Sequence, residues 1–257
     1  MVDQNLSGAR HLFYLEFIMP DLPRVILFDI DGTLLSTGGA GIKAFYRAIE
    51  DNYPSQLRKC GGSLHLKMAG STDSGLVIEI FKALGIEDSV TGRESFFAKY
   101  IQCLENNLSD QSFSGFLMPG IAELLEKLSC QANKGKLILG LLTGNIAAGA
   151  ELKLKKYGVN KHFCFGAYGD DHHDRNELGS IALKRAGSYY GLELARASVT
   201  VIGDTPKDIY CARAMGAQAV AVASGSISHK ELANHDPDLL FEDFANYEEA
   251  LRQMCLD

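Results

Sequence analysis

Several things are scarce in this chain, and each scarcity removes a class of function. There is no basic run. The chain sets 25 Lys and Arg against 32 Asp and Glu, for a formal net charge of −7 and a pI near 5.5. A nucleic-acid binder needs clustered positive charge to neutralise phosphates, so nucleic acid is not an expected partner. There is no Cys-x-x-Cys pair either. Cys60, Cys103, Cys130, Cys164, Cys211 and Cys255 stand far apart, which argues against a zinc site or redox motif and fits reduced thiols in a cytoplasmic protein. No long apolar run is present. The stretch His11 to Met19 contains Glu16 and stops at Pro20; it is too short and too interrupted to span a bilayer, and no small-residue cleavage site follows, so no membrane association is expected. Internal repeats and low-complexity segments are also lacking. Residues 1–22 read as an extension outside the fold, with Met19 a candidate natural start.

What is present is an ordinary globular balance over 257 residues, 46% hydrophobic and 22% charged. A chain this long buries roughly 70–75% of its unfolded surface and needs no staple to hold a core. Compact apolar runs recur at Arg24 to Ile30, Lys136 to Leu142, Phe163 to Tyr168, Val199 to Gly203 and Gln218 to Ala223, with a short edge run at Asp238 to Phe241. These predict strands. Helix-length patterns separate them: Pro119 to Ala132, Ala147 to Tyr157 before Gly158, Leu178 to Tyr190 before Gly191, and Pro206 to Met215 before Gly216. Strands apolar on both faces and alternating with helices imply an α/β fold, a Rossmann-like parallel sheet covered on both sides.

One stretch breaks the alternation. Between Thr37 and Ser114 the periodicity is helical throughout, clearest over Asp73 to Leu84 and Arg93 to Leu108. The predicted organisation is therefore a core of 23–36 and 115–257, interrupted by a helical cap of 37–114. Oligomeric state is not legible.

Polar residues fall where three predicted strands end. Asp29 and Asp31 follow the first, within Phe28-Asp29-Ile30-Asp31-Gly32-Thr33; Thr143, Gly144 and Asn145 follow the second; Gly203-Asp204-Thr205-Pro206-Lys207-Asp208 follows another. Ligands of open α/β sheets bind at that edge. Two carboxylates two residues apart on extended chain face the same way, as a nucleophile and its acid–base partner must; an Asp-Gly turn capping a strand is the plainer reading. Thr143 with backbone N–H groups at a helix start suits a phosphoryl group, or simply an N-cap. Asp204 and Asp208 are hard oxygen donors suited to Mg²⁺, or acidic residues favoured at a helix N-terminus.

The ordered set FDIDGTL, LLTGN and VIGDTPKD resembles the haloacid dehalogenase superfamily, in particular phosphoglycolate-phosphatase-like members with a helical cap after the first motif. The likeness spans about residues 24 to 255. It implies a Mg²⁺-dependent phosphatase of a small phosphorylated metabolite, with Asp29 as nucleophile and Asp31 as acid and base. It further implies Mg²⁺ held by the Asp29 carboxylate, the Asp31 backbone carbonyl and Asp204, with Asp208 in support, and a phosphoryl group bound by Thr143. A phosphomutase acting on a sugar phosphate and a catalytically silent binding member are the alternatives. Dehalogenation is disfavoured because dehalogenating relatives lack the second aspartate, here Asp31.

The chain departs from the family where relatives carry a Lys followed by Pro. Here the segment reads Gly169-Asp170-Asp171-His172-His173-Asp174-Arg175, and Arg175 is the expected substitute cation. Lys153 and Lys155 are competitors assigned instead to an exposed helix face. His172 and His173 sit in a solvated loop rather than a second metal site. Gly39-Ala40-Gly41-Ile42-Lys43-Ala44 resembles a relaxed dinucleotide fingerprint but starts too far beyond its strand, so it reads as a hinge into the cap. The loop Ala69 to Asp73, with Ser71 and Thr72, is the expected specificity loop, although Ser71 or Thr72 also suits an N-cap. It contains no arginine, and Lys43 and Arg47 on the preceding helix read as a solvated face. Together with Thr-Gly-Asn in place of the family's Thr-Asn, this leaves phosphoglycolate unsupported as the substrate.

Overall fold

The structure, a computed structural model, describes residues 23–194 and 199–256. The expected N-terminal extension, with its candidate start at Met19, lies outside them. Chain order gives strands β1 (Arg24–Phe28), β2 (Leu35–Ser36), β3 (Phe116–Leu117), β4 (Leu137–Leu142), β5 (Gly166–Ala167), β6 (Val199–Gly203), β7 (Gln218–Val222) and β8 (Leu239–Phe241). Helices are α1 (Ala40–Asn52), α2 (Pro54–Lys59), α3 (Asp73–Leu84), α4 (Val90–Ser109), α5 (Ile121–Ala132), α6 (Ala147–Lys156), α7 (Arg175–Tyr190), α8 (Pro206–Ala214), α9 (His229–Ala233) and α10 (Tyr247–Gln253).

Six strands form one sheet in the order β5-β4-β1-β6-β7-β8, all pairs parallel. Burial on both faces follows from the sequence of β1, whose alternate residues feed two cores. Ile26 and Phe28 pack with Leu124 and Leu128 of α5 and with Leu154 of α6. Val25 and Leu27 pack with Leu178 and Ala182 of α7 and with Ile209 of α8. A side chain on either face of a parallel strand therefore meets a helix, so β-branched and leucine residues run on without polar interruption. The predicted edge strand at 238–241 is β8, while the run at 163–168 contributes only the two residues of β5.

Helices α1, α3 and α4 enclose a separate apolar cluster, in which Phe45 meets Phe96 and Tyr100 edge-on at centroid distances of 5.0 and 5.1 Å. The chain leaves the sheet for these helices through β2 and returns through β3, and the two pair antiparallel with Leu35 opposite Leu117. Two-residue strands carry no periodicity, so the sequence does not announce them.

Helix α7 begins three residues earlier than its apolar pattern predicts. The Asp174 carboxylate accepts a hydrogen bond from the Asn176 N–H at 3.0 Å and caps the helix there. Arg175 thereby moves from a loop into the first turn of a helix. At the other end Gly191, at φ 66°, takes the left-handed conformation that stops the helix.

Candidate active site

The C-terminal edge of the sheet and the inserted helices enclose a cavity of about 560 Å³. Its floor comes from strand ends. Asp29 leaves β1 with its N–H bonded to the Ile202 carbonyl at 2.9 Å, which fixes its place between β4 and β6. Gly32 then turns the chain at φ 87°, and a side chain there would collide with the Asp204 carboxylate. A Cβ at Gly225 would strike the same carboxylate. Asp204 thus sits in a notch that two glycines leave open.

Carboxyl oxygens of Asp29, Asp204 and Asp208, all buried, come within 4.8 Å of one another. One cation answers them. Arg175 places a single Nη2 between Asp29 Oδ1, at 2.8 Å, and Asp208 Oδ1. Its Nη1 donates to the Gly70 carbonyl at 3.2 Å, and its Nε–H is buried without a hydrogen-bond partner. The expected substitute for the family's lysine therefore lies against the proposed nucleophile. Burial opposes its charge, but Asp208 and Asp29 outweigh that and raise its pKa. Asp29 itself is pushed up to about 6, chiefly because burial penalises the charged carboxylate, and Arg175 offsets only part of that rise. Asp204 is shifted well above the ordinary carboxylate range by burial and by Asp29 and Asp208. No arginine or lysine pairs with it among the described residues; the hydroxyl of Thr33 approaches Oδ1 at 3.5 Å.

Asp208 has both oxygens engaged by protein donors. Oδ1 takes Arg175, while Oδ2 accepts the Thr205 N–H at 3.0 Å and the Thr205 hydroxyl at 2.7 Å, closing a capping box at the start of α8. The helix-start reading of Asp208 and its place beside the acidic cluster both hold.

Asp31 points the other way. Its Oδ2 accepts Lys153 Nζ at 2.6 Å and Asn145 Nδ2 at 2.8 Å. Lys153 also donates to Asn145 Oδ1 at 2.5 Å, and the Asn145 amide reaches Thr143 Oγ1 at 2.9 Å. This corrects the sequence assignment of Lys153 to an exposed face: it is buried on α6 and lines the cavity, whereas Lys155 is exposed. The signal was present. Gly149, Ala150, Lys153 and Leu154 lie on one face of α6, so the lysine falls in register with the apolar stripe. On the facing helix α1, a Cβ at Gly41 would come within 3.2 Å of Lys153 Nζ. The fingerprint-like glycine leaves room for the ammonium.

Gly144 and Asn145 line the cavity. Thr143 is fully buried beside them and, among the described residues, only accepts hydrogen bonds, both from Asn145, so its own hydroxyl hydrogen meets no acceptor there. Ser71 also lines the cavity, but its hydroxyl donates to the Lys67 carbonyl at 2.7 Å and accepts Lys207 Nζ at 2.8 Å. Thr72 does not line it. That hydroxyl caps α3 by accepting the Gly75 N–H at 3.1 Å and donates to the His173 carbonyl at 2.6 Å, so its capping reading replaces the substrate-binding one.

Asp73 ends the expected specificity loop, but the sequence reading gave its carboxyl no role of its own. Its Oδ2 accepts the Ile146 N–H at 2.9 Å, capping α6 from outside, and its own N–H donates to the Gly144 carbonyl at 2.7 Å. The carboxyl is buried, lines the cavity, and is pushed up to about 7, mainly by burial. His172 and His173 stack at 4.6 Å beside the start of α7, outside the single acidic or histidine cluster found among the described residues.

Comparison with known proteins agrees with this arrangement. A family model described as haloacid dehalogenase-like hydrolase matches residues 26–222. The protein called probable phosphatase IndB, from Dickeya dadantii (strain 3937), is 25% identical over 229 residues, covering 86% of this chain and 90% of its own. A phosphoglycolate phosphatase from Synechococcus elongatus is 25% identical over 239 residues, covering 90% and 98%. Among solved structures, a hydrolase from Pseudomonas syringae superposes with a TM-score of 0.66 at 21% identity, covering 90% of this chain and 99% of that one. At that identity the superposition shows the α/β fold alone.

Proposed function

We propose, from the premise that the chain belongs to the haloacid dehalogenase-like hydrolase family, that it is a Mg²⁺-dependent phosphatase of a small phosphorylated organic molecule. The observation that carries the reading is the division of labour between two aspartates two residues apart. Asp29 lies buried against Arg175 in the acidic cluster, while Asp31 lies against Lys153 and Asn145, and both open on one cavity. The curated relatives named as phosphatases support it.

Of three clustered buried carboxylates, Asp29 and Asp208 share one arginine, and Asp204 is left without a cation among the described residues. That surplus of hard, negatively charged oxygen fits a divalent cation. Asp29, Asp204 and the backbone carbonyl of Asp31 would hold Mg²⁺, with Asp208 braced behind by Arg175 and Thr205. Bound there, the ion supplies positive charge beside the phosphoryl oxygens. The chain's own residues do the rest. An Asp29 carboxyl oxygen attacks phosphorus, forming an acyl phosphate as the ester P–O bond breaks. The Asp31 carboxyl donates its proton to the leaving oxygen, and the resulting carboxylate then takes a proton from the water that hydrolyses the acyl phosphate and frees Asp29. Arg175 orients Asp29, Thr143 offers its hydroxyl hydrogen to the phosphoryl group, and Lys153 with Asn145 hold Asp31 in place. The helices between β2 and β3 act as a cap that shields the acyl phosphate from bulk water.

Release of inorganic phosphate from a panel of small esters, with Mg²⁺ or with EDTA, tests this. The expected result is Mg²⁺-dependent release by the native chain and none by Asp29→Asn. An isomerised sugar phosphate without free phosphate would point to the mutase instead.

A further inference from the structure

The cavity has two kinds of lining. Lys153 and Arg175 are its only lysine or arginine among the described residues, and each is already bound to a carboxylate of the floor. The remaining wall, from the inserted segment and the strand that follows it, is mostly apolar, with Ile42, Phe45, Met68, Leu76, Phe116 and Met118, and its uncharged polar groups are hydroxyls such as those of Thr37 and Tyr100. The one charged side chain in that wall is Asp73, whose Oδ1 has no hydrogen-bond partner among the described residues. Lys207 approaches only the rim, where the Ser71 hydroxyl takes its ammonium.

From this wall, and resting on the phosphatase reading above, we propose that the cavity selects phosphate monoesters with an uncharged, apolar organic part, and that Asp73 is a specificity residue that turns away a second anion. The physical case has two parts. Ile42 is 51% exposed and Phe116 54% exposed, so an apolar group entering beside them removes hydrocarbon surface from water on both partners. A carboxylate entering there would lose its hydration, find no free cation, and face the Asp73 carboxyl. Above about pH 7, where the buried Asp73 carboxyl is ionised, the like-charge contact is costly: one of the two must bind a proton or stay in water. An ester such as phosphoglycolate, the substrate named for the Synechococcus relative, carries just such a second anion.

The experiment measures binding rather than turnover, so that it stands apart from catalysis. Dissociation constants of benzylphosphonate, 3-phosphonopropionate and inorganic phosphate are determined calorimetrically on the full chain in Mg²⁺ buffer at about pH 8.5, where Asp73 is ionised. Benzylphosphonate is expected to bind at least about ten-fold more tightly than either of the others, the return on burying one aromatic ring. Ile42→Lys, at the exposed rim where folding is not at stake, and Asp73→Asn, which keeps an acceptor for the Ile146 N–H, should each shrink the benzylphosphonate-to-phosphonopropionate preference by about three-fold or more. Equal or tighter binding of phosphonopropionate by the native chain would overturn the inference. So would benzylphosphonate binding no better than phosphate, or a preference unmoved in both variants. Phosphate release from p-nitrophenyl phosphate is followed on the same protein: its absence alongside the expected binding order would defeat the phosphatase reading and leave the ligand class standing.

Discussion

The floor and the wall of the cavity are built on opposite terms. On the floor, both cations are committed: Arg175 to Asp29 and Asp208, Lys153 to Asp31 and Asn145. On the wall the side chains are mostly hydrocarbon, and the one carboxyl among them has a spare oxygen. Charges paired in this way are held in one geometry at strand ends that cannot shift without breaking the sheet. A hydrocarbon wall imposes little geometry and can change its shape without disturbing the charges below. On the function proposed above, reaction and selectivity belong to separate parts of the chain.

Four substitutions probe that separation. The largest effect is expected from Asp29→Asn, which deletes the nucleophile's charge at nearly constant volume. Phosphate release should fall by at least about 10³-fold, while circular dichroism and thermal melting show a folded protein, because a buried carboxylate is also relieved of its burial cost. Next comes Arg175→Ala, which strands Asp29 and Asp208 without their cation. A loss of about 10²–10³ in kcat/KM is expected, with destabilisation of about 3–5 kcal/mol. Arg175→Lys should recover part of both, since it restores the charge but lacks the second arm that reaches the Gly70 carbonyl. A native-like kcat/KM in either would break the picture of a committed floor.

Lys153→Met should cost less, about 10–10² in kcat/KM. It should also move the pH–rate profile more than it moves the melting temperature, because its partner is the proposed acid–base residue rather than the core. If the melting temperature alone changed, Lys153 would belong to the packing and not to the floor.

The smallest effect concerns the wall. The carboxyl of Asp73 is raised to about 7 in the folded chain by burial and returns to the ordinary carboxylate range on unfolding. Between about pH 4 and pH 7 the folded form keeps a proton that the unfolded form has lost, so stability falls as pH rises through that window. Asp73→Asn removes that contribution. Its melting temperature should vary less with pH than that of the native chain, the difference moving in favour of Asp73→Asn as pH rises from about 4 to 8. Parallel curves for the two proteins would show that Asp73 is not protonated in the folded state.

The floor was largely legible in the sequence because its residues sit where short apolar runs stop. Asp29, Thr143 and Asp204 each follow a strand that is fully or almost fully buried, and the change from hydrocarbon to polar marks the sheet edge. Arg175 was expected beside the carboxylates from its place before α7, and it lies there, although the apolar pattern of that helix begins only at Leu178 and concealed the cap at Asp174. Lys153 was misplaced for a different reason. A lysine in a helix is usually solvated, and only its register with Ala150 and Leu154 says otherwise. Of the wall, only the loop Ala69 to Asp73 was legible. Ile42, Phe45, Leu76 and Tyr100 come from three helices, and helical periodicity says that a face is apolar without saying whether it meets another helix or a cavity. Asp73 illustrates the same limit, since its partner Ile146 is distant in sequence.

The antiparallel pairing of β2 with β3 gives this separation a physical form. Leu35 faces Leu117 and Ser36 faces Phe116, so the segment between them occupies the place that a tight turn holds in an ordinary hairpin. A chain that closed this hairpin with two residues would keep every strand of the main sheet in its order. The inserted helices are thus interchangeable in principle: a different insert on the same hairpin would meet the same floor, and selectivity for the organic half of a substrate could be inherited, lost or exchanged as one piece.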